Sequence, residues 1–267
     1  MELFFRKMGN GAPLIVLHGL YGASDNWITI AKKLAKKHTV YLLDQRNHGR
    51  SPFADSHTYN DLLSDLADFF TQQKIEKATL LGHSMGGKIA MWFAAYFPEK
   101  TKKLVVADIA PKDYLQVKND SNFHLHQNIL LAIQEIDFSL INSRNDVDSF
   151  LEEKIDDVRI RRFLLTNIVK DKSTKLYRWR INATVLYDYL DEIVSGVNKN
   201  WFKQKAPITD YPVTFIRGTK STYILPEDKT LINEIYPDAK IIDIPEAGHW
   251  LHAEQPEKFI KAVLMCC

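Results

Sequence analysis

Cysteine is almost absent. The 267-residue chain has two, Cys266 and Cys267, side by side at its end. Neighbouring residues do not readily form an ordinary disulfide, so no disulfide framework is available to hold a fold. That suits a reducing cytoplasm. The pair reads as a frayed, reactive tail rather than a metal site or an intermolecular bridge. An excess of one charge is missing too: 35 Lys and Arg face 33 Asp and Glu, for a net charge of +2. Neither nucleic acid nor an anionic membrane surface is an expected partner. No apolar run approaches the length that spans a bilayer, so membrane insertion is not expected. Met1 to Met8 lacks the regions of a signal peptide and reads as a short strand. Internal repeats and low-complexity segments are lacking. What remains is an ordinary globular composition, 45% hydrophobic and 25% charged. It is long enough for one large core, or for a core with an inserted subdomain.

Glycine is sparse, 11 residues in all, which makes Gly82-His83-Ser84-Met85-Gly86 conspicuous. It follows the apolar run Ala78, Thr79, Leu80, Leu81 and opens a helical stretch from Lys88 to Phe97. A serine between two glycines, where a strand turns sharply into a helix, sits on a bend too tight for a flanking Cβ. Its Oγ then projects above the sheet edge. The helix N-terminus behind it favours developing negative charge. This points to acyl transfer through a serine ester. The plainer reading is a glycine-rich turn that binds phosphate or merely joins two elements. The Lys-Ser/Thr pair of a P-loop does not follow here.

The flanking chain gives that turn a context. Leu14 to Leu17 is a short buried strand ending at His18-Gly19. Trp27 to Lys37 carries apolar residues at helical spacing, and Val40 to Leu43 is a second buried strand, ended by Asp44. Thr58 and Asp61 resemble a capping box ahead of the amphipathic stretch Leu62, Leu63, Leu66, Phe69, Phe70. Leu104 to Ala107 is another strand. Strand and helix thus alternate over residues 12 to 108, which predicts a parallel sheet with right-handed crossovers. Alternation resumes with strand Val213–Ile216, helix Lys229–Tyr236, strand Lys240–Ile244 and helix Glu257–Leu264, with Pro256 near the last helix start. Between about residues 112 and 206 strand runs are missing. Phe123 to Ile136, Val147 to Lys154, Ile160 to Val169 and Arg178 to Val194 all read as helices. The expected architecture is α/β: a core domain of residues 1–111 and 207–267, and a helical cap of residues 112–206 inserted between two sheet strands. Longer crossover helices are the alternative.

A serine hydroxyl needs a base. His249 follows a strand and a short loop, late in the chain, in the order nucleophile, acid, histidine. His252 competes from the same loop; Gly248 favours His249 by giving the loop freedom to turn it inward. An oxyanion hole needs two backbone N–H groups aimed at one point. Met85, after the serine, supplies one, and Leu20, in the loop His18-Gly19-Leu20-Tyr21-Gly22, the other. His18 is expected to shape that loop without transferring protons. The acid is open on residues alone. Asp108 closes the strand beside the elbow strand and could equally be a turn residue before Pro111. Glu227 and Asp228 lie further along.

Taken together, the loop at His18–Gly22, the segment Asp44-Gln45-Arg46-Asn47-His48-Gly49-Arg50-Ser51, the serine elbow, and Ala247-Gly248-His249-Trp250-Leu251-His252-Ala253-Glu254-Gln255-Pro256 resemble the α/β-hydrolases. Asp108-Ile109-Ala110-Pro111 and Arg178-Trp179-Arg180-Ile181-Asn182 are similar, more narrowly, to the YbfF-type esterase branch. The superfamily mostly places its acid a few residues past a glycine in the segment Phe215 to Ser221. There the position falls on Ser221, which holds no charge. The branch resembles an arrangement with the acid at Asp108. The resemblance therefore implies a set of Ser84, His249 and Asp108, with Met85 and Leu20 as oxyanion donors and Ser221 supporting the histidine–aspartate pair. It also implies that Asp44 to Ser51 braces neighbouring loops, rather than presenting Arg46 or Arg50 to an anion.

The expected activity is a serine carboxylesterase on a small-molecule acyl ester or thioester, proceeding through an acyl-enzyme. Neither a cofactor nor a metal is called for: His124 and His126 lack further ligands. A second reading keeps the same triad for a C–C bond hydrolase or a menaquinone-pathway-type lyase. Its anionic substrates would be anchored by Arg178 or Arg180. A third is a non-catalytic ligand-binding module. In the cap, Trp179, Tyr187, Tyr189 and Trp201 are expected to pack rather than to stack on a ligand.

Overall fold

A computed structural model describes residues 1–115, 121–195, 202 and 204–267. The strands are β1 (Phe5–Met8), β2 (Ala12–Leu17), β3 (His38–Leu43), β4 (Ala78–His83), β5 (Thr101–Ala107), β6 (Ile168–Lys170), β7 (Tyr177–Trp179), β8 (Val213–Gly218) and β9 (Lys240–Ile244). Seven of them form one sheet in the order β1-β3-β2-β4-β5-β8-β9. All neighbours are parallel except β1, which runs antiparallel to β3. Leu14 to Leu17, Val40 to Leu43 and Ala78 to Leu81 are buried on both faces, which is why they read as continuous apolar runs rather than alternating ones.

Helices cover both faces. On one lie α1 (Ile28–Leu34) and the last helix, whose Ile30, Leu34, Phe259 and Val263 pack with Leu14, Val16 and Val105. On the other lie α2 (Tyr59–Gln72) and α3 (Met85–Tyr96), which bury Phe69, Phe70, Met91 and Phe93 against Ile15, Leu80 and Val106. Each such side chain contributes about 2–3 kcal/mol by leaving water. Thr58 does cap α2: its hydroxyl accepts from Asp61 N and the Asp61 carboxylate accepts from Thr58 N, both near 3.0 Å.

Between β5 and β8 come α4 (Ser121–Gln134), α5 (Arg144–Glu152), α6 (Val158–Leu165), the antiparallel hairpin β6–β7, α7 (Ala183–Asp188) and α8 (Leu190–Ser195). The hairpin corrects the expectation of an all-helical segment. Val169 and Arg178 pair across it, so Arg178 starts no helix, and the stretch to Val194 holds two short helices instead of one. Strands of three residues carry too little alternation to stand out from a helical pattern. Beyond β8 follow α9 (Asp228–Ile235), α10 (Leu251–Glu254) and α11 (Pro256–Cys266). The chain end is a second correction. Cys266 belongs to α11 and its thiol donates to Ala262 O, while burial pushes the Cys267 thiol up to about 12. Both side chains pack against the core rather than fraying. No helix among the described residues is long and apolar enough to cross a membrane.

The register positions the site. Leu17 pairs with Gly82, His83 with Ala107, and Ala107 with Ile216. The strand ends therefore line up, and His18, Ser84 and Asp108 leave the sheet at one carboxyl rim, where ligands bind in open α/β sheets.

Candidate active site

Ser84 has φ 53° and ψ −121°, a left-handed conformation that a serine reaches only when its surroundings impose it. Close packing explains the two glycines. A Cβ on Gly82 would lie 2.2 Å from Gly86 O, and one on Gly86 would lie 2.3 Å from Leu17 O. Helix α3 starts at the next residue, so the Met85 N–H belongs to a first helical turn, where amides have no intrahelical acceptor. Gly19 packs on the elbow, its absent Cβ only 3.1 Å from Ser84 Cβ. Among the described residues, neither the Leu20 nor the Met85 N–H has a backbone acceptor.

Two neutral imidazoles hold the Leu20 loop. His18 Nε2 accepts from Gln45 N at 3.0 Å while its Nδ1 donates to Gly19 O; His48 Nε2 accepts from Tyr21 N at 3.2 Å while its Nδ1 donates to Arg46 O. These tautomers are assigned from the hydrogen-bond network. Burial lowers His18 to about 4 and His48 to about 3, the second helped by neighbouring His18. Both rings therefore keep their acceptor nitrogens. Asp44 anchors the bracing segment by accepting from Ser24 N and Arg50 N. Arg46 is committed to Asp65 at 2.6 Å, and Arg50 lies over the Phe4 ring. His18 and the Asp44–Ser51 segment thus act as braces.

Asp108 has φ 51°. Its N–H donates to Ile216 O, which carries the β5–β8 pairing one residue past the strand. The buried carboxylate accepts from Gly218 N at 3.0 Å, from the Ser221 hydroxyl, and from His249 Nδ1 at 2.8 Å. Asp228 is elsewhere, paired with Lys112 at 2.7 Å and capping Leu225 N. Gly218 permits this meeting, because a Cβ there would lie 2.3 Å from Gly248 O. The reason expected for Gly248 is corrected. The left-handed residue of that loop is Glu246, at φ 64°; Gly248 leaves room for the Glu254 carboxylate, which accepts from its N–H at 2.7 Å. His252 is stacked on Trp27 with ring centres 4.3 Å apart, and burial lowers it to about 3. It is a buried core ring beside the site.

Several contributors carried no legible signal. The His83 ring, held well below the usual histidine range by burial, donates through Nε2 to His249 O at 2.8 Å, tying the histidine loop to the elbow. Tyr223 stacks on His249 with ring centres 3.7 Å apart. Asn167 donates to Tyr21 O at 2.8 Å from the segment between α6 and β6. His126, on α4, faces Tyr223 at 3.5 Å and is lowered to about 4 by burial.

Ser84 and His249 share a cavity of about 330 Å³. Its outer walls come from Leu125 and Ile129 on α4, Ile160 and Phe163 on α6, and Trp250. Arg178 and Arg180 are absent from this lining, contrary to the anion anchor that the second reading requires. Arg178 is exposed beside Asp171, and Arg180 is buried against Asp25 at 2.8 Å. Trp179 packs, donating to Ile133 O, and Tyr187 and Tyr189 pack against the core. Trp201 lies outside the described residues. An imidazole held at Nδ1 by a carboxylate presents its other nitrogen for proton transfer, and the strained Ser84 lines the same cavity as His249.

The alpha/beta hydrolase fold family matches residues 12–256. Esterase YbfF of Escherichia coli (strain K12) is 34% identical over 254 residues, 95% of this chain and 92% of that protein. An sn-1-specific diacylglycerol lipase ABHD11 of Danio rerio is 34% identical over 266 residues, 97% of this chain and 80% of that protein. A solved structure described as a marine microorganism esterase is 46% identical with a TM-score of 0.92, covering 100% of this chain and 99% of that one. A strained serine, a histidine and a carboxylate on one rim thus occur in a chain similar to esterases and lipases along nearly its whole length. The chain belongs to the α/β-hydrolase family, in the YbfF-type esterase branch, and is a hydrolase of the esterase and lipase kind.

Proposed function

We propose that the chain is a serine carboxylesterase working through an acyl-enzyme. Ser84 Oγ attacks the ester carbonyl while His249 Nε2 takes its proton. Asp108 holds the opposite nitrogen and stabilises the imidazolium that forms. Ser221 fixes the carboxylate. The developing oxyanion accepts hydrogen bonds from the Leu20 and Met85 amides, each worth roughly 3 kcal/mol in the transition state. Collapse breaks the C–O bond, and the alcohol leaves with the proton held by His249. Water, deprotonated by the same imidazole, then releases the acid and frees Ser84. A thioester follows the same course with a thiolate that depends less on that proton. These residues handle every proton and bond, so the scheme invokes no cofactor or metal. Residues 112–206 serve as the cap that walls the cavity, and a reducing compartment such as the cytoplasm suits the two free thiols.

The observation that carries this reading is the 2.8 Å bond between His249 Nδ1 and Asp108 Oδ2, with Ser84 lining the same cavity. Labelling with a fluorophosphonate tests it, together with turnover of p-nitrophenyl acetate. One label per chain, at Ser84, and a burst are expected; no label and no turnover would end the proposal. The C–C hydrolase or lyase reading leaned on Arg178 or Arg180 and finds no support in their positions. The binding-module reading requires tight ligand binding that survives Ser84→Ala, with no turnover by the unaltered protein.

A further inference from the structure

Two cavities meet at Ser84. Besides the large one there is a compartment of about 30 Å³ that shares Leu20, Ser84, His126 and Tyr223 with it. Its own lining is Met85, Lys88, Ile109, Tyr114, Ile193 and Val194. His249 borders the large cavity and not the small one. The Lys88 ammonium is turned to the end of α8, donating to Val194 O at 2.6 Å and Ile193 O at 3.2 Å, with the Tyr114 ring 4.8 Å away.

We infer that the substrate ester is divided between these compartments: a short acyl chain enters the small one, and a larger, apolar alcohol occupies the large one. This rests on the serine-ester reading. The assignment of sides follows from proton transfer. His249 must reach the departing oxygen, so the alcohol lies on the side His249 borders. The carbonyl oxygen is taken by the Leu20 and Met85 amides. The acyl carbon chain is left with the direction away from His249, past Met85 and Ile109. The volume then sets the length. About 30 Å³ has room for two or three water-sized groups, so the fitting acyl groups run from acetyl to butanoyl. Apolar side chains from Met85, Ile109, Ile193 and Val194 favour an unsubstituted hydrocarbon chain. The alcohol side is an order of magnitude roomier and is walled by Leu125, Ile129, Ile160, Phe163 and Trp250.

The test is kcat/KM for two series: p-nitrophenyl acetate, butanoate and octanoate, then ethyl and hexyl acetate. Acetate and butanoate should agree within a few-fold, and octanoate should fall at least about tenfold below them. Hexyl acetate should exceed ethyl acetate, since its longer alcohol buries more apolar surface. Ile109→Ala and, independently, Ile193→Ala enlarge the small compartment and should raise octanoate relative to acetate by about tenfold. Phe163→Ala should flatten the alcohol series and leave the acyl profile unmoved. The inference is overturned if the unaltered protein takes octanoate as readily as acetate. It is equally overturned if Phe163→Ala, rather than the two isoleucine variants, moves the acyl profile. Fluorophosphonate labelling separates the two layers: label retained with the wrong length profile removes only the division, while loss of both label and turnover removes the esterase reading and the division with it.

Discussion

The site has two halves of different origin. Ser84, Asp108 and His249 come from the ends of parallel strands or the loops that follow them, while the outer wall comes from α4 and α6. Backbone ladders fix the first half: Ser84 N donates to Ala107 O and Asp108 N to Ile216 O, each continuing a strand pair. Side-chain packing fixes the second. The difference implies a division of labour. The rim should set whether chemistry occurs, and the helical wall should set on what. Substitution at the rim should therefore lower kcat, and substitution in the wall should change KM and preference.

The sharpest break of that comparison is Ser84→Ala. It should remove fluorophosphonate labelling and lower kcat by roughly 10^5- to 10^6-fold while leaving KM within a few-fold. Asp108→Asn should follow at about 10^4-fold, the scale of neutralising a triad acid. Asp228→Asn, which disturbs the Lys112 pair and not His249, should change kcat only a few-fold. Steady-state assays of both variants decide it; the reverse order would move the acid to the segment after β8 and undo the rim assignment.

The same contrast explains what could be read in advance. A strand buried on both faces announces itself as Leu14 to Leu17 or Ala78 to Leu81 do, and the ends of such strands are where rim residues must lie. Gly82 and Gly86 are legible because the close approach of backbone to backbone leaves no alternative residue. His249 was within reach for that reason, since it sits a few residues past a strand, whereas Asp108 and its partner Ser221 came only from the family resemblance. The helical segment offers no comparable ruler. The second reading placed Arg178 and Arg180 as anion anchors because its substrates are anionic. Their partners, Asp171 and Asp25, are chosen by tertiary packing that one-dimensional spacing does not encode. The β6–β7 hairpin was invisible because three residues per strand carry no period. Tyr223 and Asn167 touch the site through a ring face and a single amide, which leave no mark on the sequence.

Protonation probes the rim's bracing. His18 and His48 each accept a backbone N–H, and burial lowers them to about 4 and about 3; His252 is lowered to about 3 as well. A histidine whose folded pKa lies below its unfolded one leaves the unfolded chain binding more protons in the interval between. The stability they allow is thus complete above about pH 6.5 and falls as pH drops towards 4. Urea unfolding near pH 7.5 and near pH 5.5 should differ by about 1 kcal/mol for each such imidazole, the acidic condition being weaker. An unchanged urea midpoint would mean that these rings take up protons without unfolding, and that the Leu20 loop is not braced as described.

The smallest effect is the most discriminating, because it concerns a place where the outer segment reaches the loop that carries Leu20. Asn167 Nδ2 donates to Tyr21 O at 2.8 Å, one residue beyond the Leu20 amide, and Asn167 O accepts from Arg180 N. The chain between the hairpin and α7 is in turn stitched to the bracing segment, with Asn182 N donating to Asn47 O at 3.0 Å. If the outer segment only selects substrates, Asn167→Ala should change KM and spare kcat. If it also holds the oxyanion loop, the loss of one buried hydrogen bond, about 1 kcal/mol, should appear as a roughly five- to tenfold fall in kcat with KM nearly constant. The second outcome is expected. The carbonyl of Tyr21 loses its donor while Leu20 N–H, two peptide units back in the same loop, must under the proposed mechanism still point at the developing charge. A pure KM effect would restore the strict division between the two halves.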